Sequence, residues 1–297
     1  MMRKIIIKLC GGLGNQMFQY AMGRALSLRS KQSLKLDTSW FSNMEGYTPR
    51  KFQLDIFPVH YNLATQKEID SLIYAKENYL RYLFRTVFHK QRSFTKAYIK
   101  EPCFTYCKDI KNISFPVYLD GYWQSEKYFS DYRQQILQDF TFPPLPADSC
   151  HLARKILATP DAVSLHVRRG DYVSNSKNEG IYNICSQKYY NESLLYIKKH
   201  TNSPYIFVFS DEPEWCKSNL DTFNLPTTVV DLHNEKTCCH DMHLMTLCRH
   251  HIIANSSFSW WGAWLSQKGI ICAPKQWFVP KMRREQNPCP ENWILFD

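Results

Sequence analysis

"KIIIKLCGGLGNQMFQYAMGRALSLRSKQSLKLD", residues 4–37, reads as a strand, a glycine-rich turn, a helix and a second strand. The apolar run KIIIKL (4–9) and the shorter SLKLD (33–37) predict the strands, and a helical stretch from about Met17 to Ser30 connects them. This order is typical of the opening β-α-β unit of a doubly wound α/β domain.

A proline-rich stretch divides the chain. TFPPLPADSC (141–150) has three prolines within four residues and is the best linker in the sequence. After it, short apolar runs alternate with helical segments, which predicts a parallel sheet covered on both faces. Because 297 residues can bury more than one core, we predict two Rossmann-like α/β domains facing a cleft, at 1–145 and 146–275, with a C-terminal tail at 276–297.

The composition limits the classes of partner and compartment. A formal net charge of +10 favours an anionic partner, such as a nucleotide, a nucleic acid or a membrane surface, and 15% aromatic residues provide stacking surfaces for sugars or bases. No apolar run approaches the about 20 residues of a membrane helix. The run after the basic start is broken by Lys8 and is too short for a signal peptide. We therefore expect a cytoplasmic protein.

The cysteines favour reduced thiols. They number eleven, an odd count, and their spacing is irregular, unlike a disulfide framework. Cysteines and histidines between 238 and 251 offer metal-ligand chemistry, but no Cys-x-x-Cys pair occurs in the chain. A polar loop running into a helix is the favoured interpretation of that cluster.

SLHVRRGDYV (164–173) puts two arginines at the end of an apolar strand, where burial is costly unless an anion or acceptor meets them. Side chains alternate along a strand, so His166 and Arg168 share one face while Arg169 points to the other. Arg168 is thereby a candidate for holding a phosphate through two parallel hydrogen bonds. Arg169 is expected to pair with an internal carboxylate such as Asp171. The alternative is that both arginines form structural ion pairs.

GGLGNQ (11–16) lies between the first strand and the first helix, where backbone N–H groups of a helix N-terminus can face a ligand. It lacks the third glycine of a dinucleotide fingerprint, and no Gly-Lys-Ser/Thr follows as in a Walker A loop. A plain tight turn is an equal alternative.

FVFSDEPEW (207–215) ends another strand with Ser210 and Asp211, directly before a proline-led helix. One interpretation is ordinary helix capping. The other is that the Asp211 carboxylate accepts hydrogen bonds from the N1–H and amino group of a guanine.

IIANSSFSWWGAWLS (252–266) is a third strand, polar turn and helix. Its turn offers donors at a helix N-terminus from Asn255, Ser256 and Ser257, whereas the tryptophans follow helical spacing and are expected in the core. All these motifs follow strands, and open α/β sheets bind ligands at the carboxyl ends of their strands. No Asp-x-Asp pair, which often holds Mg²⁺ or Mn²⁺ against a sugar nucleotide, occurs in the chain.

The chain resembles the bacterial α-1,2-fucosyltransferases of glycosyltransferase family 11 in six segments that keep their order from end to end. They are GGLGNQMFQYA (11–21), DGYWQSEKYF (120–129), HVRRGDY (166–172), FSDEPEW (209–215), ANSSFSWWGAWL (254–265) and APKQWF (273–278). The resemblance implies a GT-B-like fold and GDP-β-L-fucose as donor. It also implies transfer with inversion to the 2-hydroxyl of a galactose in an oligosaccharide acceptor, without metal or other cofactor.

The resemblance further implies roles for individual residues. Arg168 would contact the donor diphosphate as a catalytic residue, with His166 beside it. The glycine-rich turn and the Ser-Ser-Phe turn would lie on the donor side. Together with the strand-end candidates above, the predicted donor-binding set is Gly12, Leu13, Gly14, Asn15, Arg168, Ser210, Asp211, Asn255, Ser256, Ser257 and Phe258.

An inverting transfer also calls for a base to take the acceptor proton. Asp171 and Asp120 are candidates, although neither follows from spacing, and with Arg169 they are otherwise structural. The basic and aromatic segment 76–100 is a candidate for peripheral contact with an anionic membrane that carries a lipid-linked acceptor. A solvated basic helix is the favoured alternative for that segment.

Other classes of protein fit less well. A nucleic-acid-binding protein would account for the charge, but the sequence lacks an aromatic-interleaved sheet motif, and we expect no nucleic-acid partner. A non-catalytic sugar-binding protein has no need of a strand-end arginine. The main alternative is a glycosyltransferase that uses another GDP-sugar or forms another fucosyl linkage.

Overall fold

A computed structural model describes residues 4–44, 49–76, 79, 93–104, 106–170, 185–232, 237–279 and 287–297. The chain forms two compact units, Met1–Thr141 and Phe142–Asp297. The division falls at the start of the proline-rich stretch, a few residues before the predicted boundary at 145.

The first unit is built on a parallel sheet. Its strands are β1 (Lys4–Lys8), β2 (Ser33–Asp37), β3 (Asn62–Leu63), β4 (Tyr98–Lys100) and β5 (Val117–Asp120), and its helices are α1 (Leu13–Ser30), α2 (Gln66–Ile73) and α3 (Arg133–Asp139). Short 3₁₀ turns lie at Ser39–Ser42, Leu54–Ile56, Lys108–Asn112, Glu126–Tyr128 and Ser130–Tyr132. The strand order is β3-β2-β1-β5-β4, with every pair parallel. The predicted β-α-β opening is confirmed.

Strand β1 lies at the centre of the sheet. Its three isoleucines, Ile5 to Ile7, are fully buried, as expected for a central parallel strand. Helix α1 begins one turn earlier than predicted. Gly11 adopts a φ of 75°, which a residue with a Cβ rarely takes, and Gly12 follows in an extended conformation as the N-cap. These two glycines turn the chain sharply enough for the helix to start at Leu13.

After α2, the short strand β4 forms the edge of the sheet beside β5. Most of the candidate membrane segment, 77–78 and 80–92, lies outside the described residues. Before α3 begins, Tyr128 and Phe129 are buried side by side where two successive 3₁₀ turns meet.

The second unit holds a larger parallel sheet. Its elements are α4 (Ala147–Ala158), β6 (Asp161–Val167), α5 (Gln187–His200), β7 (Pro204–Ser210), α6 (Pro213–Asn219), β8 (Thr227–Val229), α7 (Cys238–Leu247), β9 (His250–Ile252), α8 (Ser257–Ser266), β10 (Ile271–Pro274) and β11 (Ile294–Phe296). The strand order is β11-β10-β9-β6-β7-β8, again parallel throughout.

Both faces of this sheet are covered, as predicted. Val163, Leu165 and Val167 of β6 pack with α5 on one face. Ala162 and Phe207 pack with α4 and α7 on the other. The alternation along β6 therefore divides its side chains between two cores.

Residues 276–297, expected to be a separate tail, belong to the second unit. β11 extends the sheet beside β10, and Trp293 packs with its ring centroid 5.5 Å from that of Trp260. Trp260, Trp261 and Trp264 are all buried. The expectation that the tryptophans form core rather than a sugar platform is confirmed.

Within the described ranges, no helix has the length and apolar character needed to cross a membrane. All eleven cysteines lie in those ranges and are free thiols. The cysteine and histidine cluster considered as a metal site forms α7 and the start of β9. Among the described residues, no group of three or more His, Cys, Asp or Glu is placed to hold a metal ion.

Candidate functional site

The carboxyl edge of the second sheet brings three of the sequence motifs together. In the register of β6 and β7, Val167 lies opposite Ser210, and β9 runs along the other side of β6. Because the three strands are parallel, the segments that follow them leave the sheet at the same edge. The predicted grouping of these motifs at one edge is confirmed for the second unit.

Arg168 meets a carboxylate at this edge. Its Nη1 lies 3.2 Å from Oδ2 of Asp211, and Oδ1 of Asp211 accepts a hydrogen bond from the backbone N–H of Arg169 at 3.1 Å. Ser210 makes a local turn, since its hydroxyl accepts the N–H of Glu212 at 3.0 Å. Asp211, the residue considered for guanine, is thus directly bound to the arginine motif.

Arg169 pairs with a carboxylate, as expected. Its Nε donates to Oε2 of Glu212 at 3.2 Å, and its guanidinium carbon lies 3.9 Å from the centroid of the Trp215 ring. The partner suggested from sequence, Asp171, lies outside the described residues. Glu212 is available because β6 and β7 end together, a relationship that sequence proximity does not reveal. Arg168 and Arg169 thus meet different carboxylates, and the two ion pairs also fit the structural alternative.

His166 is buried beside Arg168, with 4% of its surface exposed. Its ring lies 5.8 Å, centroid to centroid, from that of Phe258. Burial, reinforced by the charge of Arg168, lowers the pKa of His166 to about 3. The imidazole is therefore neutral at pH 7, and its Nδ1 has no hydrogen-bond partner among the residues described here.

The N-terminus of α8 completes this edge. Ser256 is the N-cap, and its hydroxyl accepts the N–H of Phe258 at 3.4 Å. Asn255 is buried, donating its amide to the carbonyl of Trp277 at 3.1 Å while its Oδ1 accepts a weak bond from the Cys185 thiol. The Asn255 side chain therefore stabilises the turn that presents Ser256 and the helix start.

The glycine-rich turn of the first unit forms the N-terminus of the 18-residue helix α1. No acidic residue occupies the first turn of α1, so the backbone of Gly12, Leu13 and Gly14 presents the positive end of the helix dipole. Asn15 is used internally, since its Oδ1 accepts the amide of Gln124 at 2.9 Å. This turn is suited to an anionic or hydroxyl-bearing group.

Two fully buried glutamines shape that turn, and the motif reading missed both. Gln16 donates to the carbonyls of Gly11 at 3.0 Å and Lys51 at 2.8 Å, and its Oε1 accepts the N–H of Gln53 at 2.9 Å. Gln19 accepts the N–H of Cys10 at 3.0 Å and donates to the carbonyl of Gly121 at 3.1 Å. The available signal was the pair of polar residues, three apart, in the otherwise apolar stretch 16–23 of α1.

Asp120 ends β5 in the first unit. Its Oδ2 accepts the Tyr98 hydroxyl at 2.8 Å, and its Oδ1 lies 3.3 Å from Nζ of Lys8. Both oxygens are therefore engaged by neighbouring strand ends. The following loop is held by Glu101, whose carboxylate accepts the N–H groups of Tyr122 at 2.6 Å and Trp123 at 3.0 Å.

A cavity of about 680 Å³ lies at the amino edge of the second sheet, opposite the edge that holds the sequence motifs. Its lining includes Arg249, Lys268 and His200. Arg249 and Lys268 follow helices α7 and α8, where positive charge complements the helix dipole, and His200 ends α5. The chemistry-bearing motifs lie at the other edge, so we assign the candidate site there.

Comparison with known proteins identifies the family of the chain. The model of the family described as glycosyl transferase family 11 matches residues 2–297. The chain is 37% identical to an α-1,2-colitosyltransferase of Escherichia coli over 99% of both chains. It is 35% identical to the E. coli O-antigen biosynthesis glycosyltransferase WbnK, over 91% of this chain and 94% of that one.

Two more distant proteins extend the comparison. Human galactoside α-(1,2)-fucosyltransferase 1 is 29% identical over 50% of this chain and 42% of its own. The structure of an Arabidopsis thaliana FUT1 variant in complex with GDP matches with a TM-score of 0.51 at 14% identity, covering 100% of this chain and 77% of that one. That likeness shows a shared GT-B architecture. The chain therefore belongs to glycosyltransferase family 11 and is a glycosyltransferase.

Proposed function

We propose that this glycosyltransferase carries L-fucose from GDP-β-L-fucose to the 2-hydroxyl of a terminal galactose, with inversion at the sugar C1. The observation that carries the proposal is Arg168 at the carboxyl end of β6, next to the buried His166 and half-buried itself. The names of the relatives support the linkage, since both the E. coli colitosyltransferase and the human fucosyltransferase form α-1,2 bonds.

Arg168 would bind the donor diphosphate. As the bond between C1 and the diphosphate oxygen breaks, negative charge grows on the departing GDP, and a preoriented guanidinium stabilises it. Loss of one such preorganised donor typically costs about 10²–10³ in rate. The backbone of Ser257, at the start of the ten-residue helix α8, would add its N–H group to the same anion.

His166 would assist without charge. Because its pKa is lowered to about 3, the neutral imidazole offers hydrogen bonding to the donor and leaves the positive charge to Arg168. The acceptor hydroxyl must lose its proton as its oxygen bonds to C1. The candidates for that base are Asp120 and Asp171.

No metal is needed in this proposal. The sequence contains no Asp-x-Asp pair, and the guanidinium of Arg168 with the α8 N-terminus would neutralise the diphosphate instead. We also propose that the backbone at Gly12, Leu13 and Gly14, at the N-terminus of α1, offers N–H groups to the donor.

One specific observation favours a second donor. The relative that is 37% identical is named as a colitosyltransferase, and colitose is L-fucose without its 3-hydroxyl. GDP-colitose is therefore the second candidate donor. The likeness to an O-antigen biosynthesis glycosyltransferase supports a bacterial surface glycan, rather than free lactose, as the natural acceptor.

The test is a donor competition on one acceptor series. The purified protein is given GDP-fucose or GDP-colitose with lactose, N-acetyllactosamine and a terminal β-galactoside of an O-antigen unit, and the product linkage is read by NMR. A 1,2-linked fucoside supports the first donor and a 1,2-linked colitoside the second. Transfer from a different GDP-sugar alone, or another linkage, would contradict the proposal.

A further inference from the structure

Asp211 contacts the arginine motif through both oxygens of its carboxylate. Oδ2 lies 3.2 Å from Nη1 of Arg168, and Oδ1 accepts the backbone N–H of Arg169 at 3.1 Å. The pair is half-buried, with 22% of the Arg168 side chain and 23% of the Asp211 side chain exposed. Because Val167 and Ser210 are paired across β6 and β7, the residues that follow them meet directly.

Gly170 brings the backbone against the same carboxylate. A Cβ added at Gly170 would lie only 2.5 Å from Oδ2 of Asp211, much closer than van der Waals contact allows. Three consecutive residues therefore approach the Asp211 carboxylate: Arg168 with its side chain, Arg169 with its backbone N–H and Gly170 with a Cα that carries no side chain. This is a specific fit to Asp211.

From these contacts we infer that Asp211 is a positioning residue for Arg168 and not a ligand of the guanine base. This inference deepens the proposed function and rests on it. A guanidinium held on one side by a carboxylate has already lost rotamer freedom before the donor arrives. Less conformational entropy is therefore lost when the guanidinium binds the diphosphate. The carboxylate itself repels the diphosphate, so it adds nothing to GDP affinity. Its effect falls on the rate of C1–O cleavage.

The neighbouring acidic residues provide the comparison. Glu212 binds Arg169, which stacks on Trp215, on the other side of the motif. Glu214 is 79% exposed and pairs only with Lys217 among the described residues. Asp211, Glu212 and Glu214 thus have different partners among the described residues, and Asp211 is the one that pairs with Arg168.

Asp211→Asn is the informative variant, because the amide keeps the size and can still accept the Arg169 N–H while the charge is removed. It is measured alone and combined with Arg168→Ala, with Gly170→Ala as a second way to disturb the contact and Glu214→Gln as the control. The readouts are GDP affinity by calorimetry, the thermal unfolding midpoint, and kcat for GDP release from GDP-fucose with and without acceptor.

We expect Asp211→Asn to keep GDP affinity within about threefold and to lower kcat by about 10². In the Arg168→Ala background, the same change should alter kcat by less than about threefold, since the two residues act as one unit. Gly170→Ala should reproduce the selective loss of kcat, and Glu214→Gln should behave as wild type.

Three results would overturn the role of Asp211. They are a kcat that Asp211→Asn leaves unchanged, an equal loss of kcat in both backgrounds, and a loss of GDP affinity that spares UDP and ADP, as expected for a base ligand. A wild-type protein that binds GDP but cleaves neither GDP-fucose nor GDP-colitose contradicts the proposed function instead. In that event the affinity comparison still decides on Asp211, because a guanine-selective loss overturns its role and unchanged affinity supports it.

Discussion

The guanidinium carbon of Arg169 lies 3.9 Å from the centroid of the Trp215 ring, while its Nε donates to Glu212 at 3.2 Å. Stacking on a tryptophan contributes about 0.5–2 kcal/mol, whereas partly exposed ion pairs contribute about 0–1 kcal/mol. We therefore expect Trp215→Leu to lower the free energy of unfolding more than Glu212→Gln does. Urea unfolding of the two variants measures the difference, and a larger loss in Glu212→Gln would show that the ion pair dominates.

Gln16 is expected to be among the most sensitive positions of the first unit. Its fully buried amide joins the glycine-rich turn to the segment at Lys51 and Gln53. Gln16→Leu removes the hydrogen bonds that the amide makes to the carbonyls of Gly11 and Lys51 and to the N–H of Gln53, at about 1–3 kcal/mol for each group that stays dry. We expect the variant to lose at least about 2 kcal/mol of unfolding free energy.

The matched control is Gln66→Leu, the same chemical change on the exposed first turn of α2, where the amide donates to Asp70. Surface substitutions of this kind stay within about 0.5 kcal/mol. Equal losses in Gln16→Leu and Gln66→Leu would contradict the role assigned to the buried amide.

The strand-end site could be predicted from sequence because parallel strands share their carboxyl edge. Once SLHV and IFVFS are recognised as strands, Arg168 and Asp211 must leave the sheet at the same edge. That they bind each other depends on the register that pairs Val167 with Ser210, which the residues alone do not specify. Sequence proximity favoured Asp171 for Arg169, whereas the tertiary neighbour is Glu212.

Local sequence patterns do not predict the strands that form only through pairing with a tertiary neighbour. The short strand β4 has only three residues, too few for a periodic pattern, and it forms because the edge of β5 is available for pairing. The three residues of β11 carry little periodicity, yet they pair with β10. In both cases strand pairing decides the secondary structure, because the local preference of the residues is weak.

Two buried histidines make the fold sensitive to acid. Burial, with smaller contributions from nearby cations, lowers the pKa of both His166 and His251 to about 3. In the unfolded chain histidine protonates near pH 6.5, so below about that pH the unfolded state takes up protons that the folded state does not. The stability present at neutral pH is then lost as the pH falls toward 3, by up to about 1.4 kcal/mol per pH unit for each histidine.

Urea unfolding at several pH values between about 7.5 and 4.5 measures this slope. His251→Leu should flatten it, because leucine takes up no proton. A wild-type stability that does not fall over this range would contradict the account of the buried imidazoles.

The geometry of the Arg168 side chain should matter as much as its charge. Lysine keeps the charge at this position but loses the planar fork that binds a phosphate with two hydrogen bonds. We expect Arg168→Lys to retain GDP binding within about tenfold and to lower kcat by about 10². A variant with the kcat of the wild type would mean that a point charge suffices.

The most direct measurement is fucose transfer from GDP-fucose to a terminal galactoside in excess EDTA, by the wild type and by Arg168→Ala. We predict that the wild type turns over unchanged in EDTA with a 1,2-linked product, and that Arg168→Ala loses about 10²–10³ in kcat while remaining folded. Wild-type activity that EDTA abolishes and Mg²⁺ or Mn²⁺ restores, or full activity in Arg168→Ala, would contradict a transfer in which Arg168 meets the charge of the departing GDP.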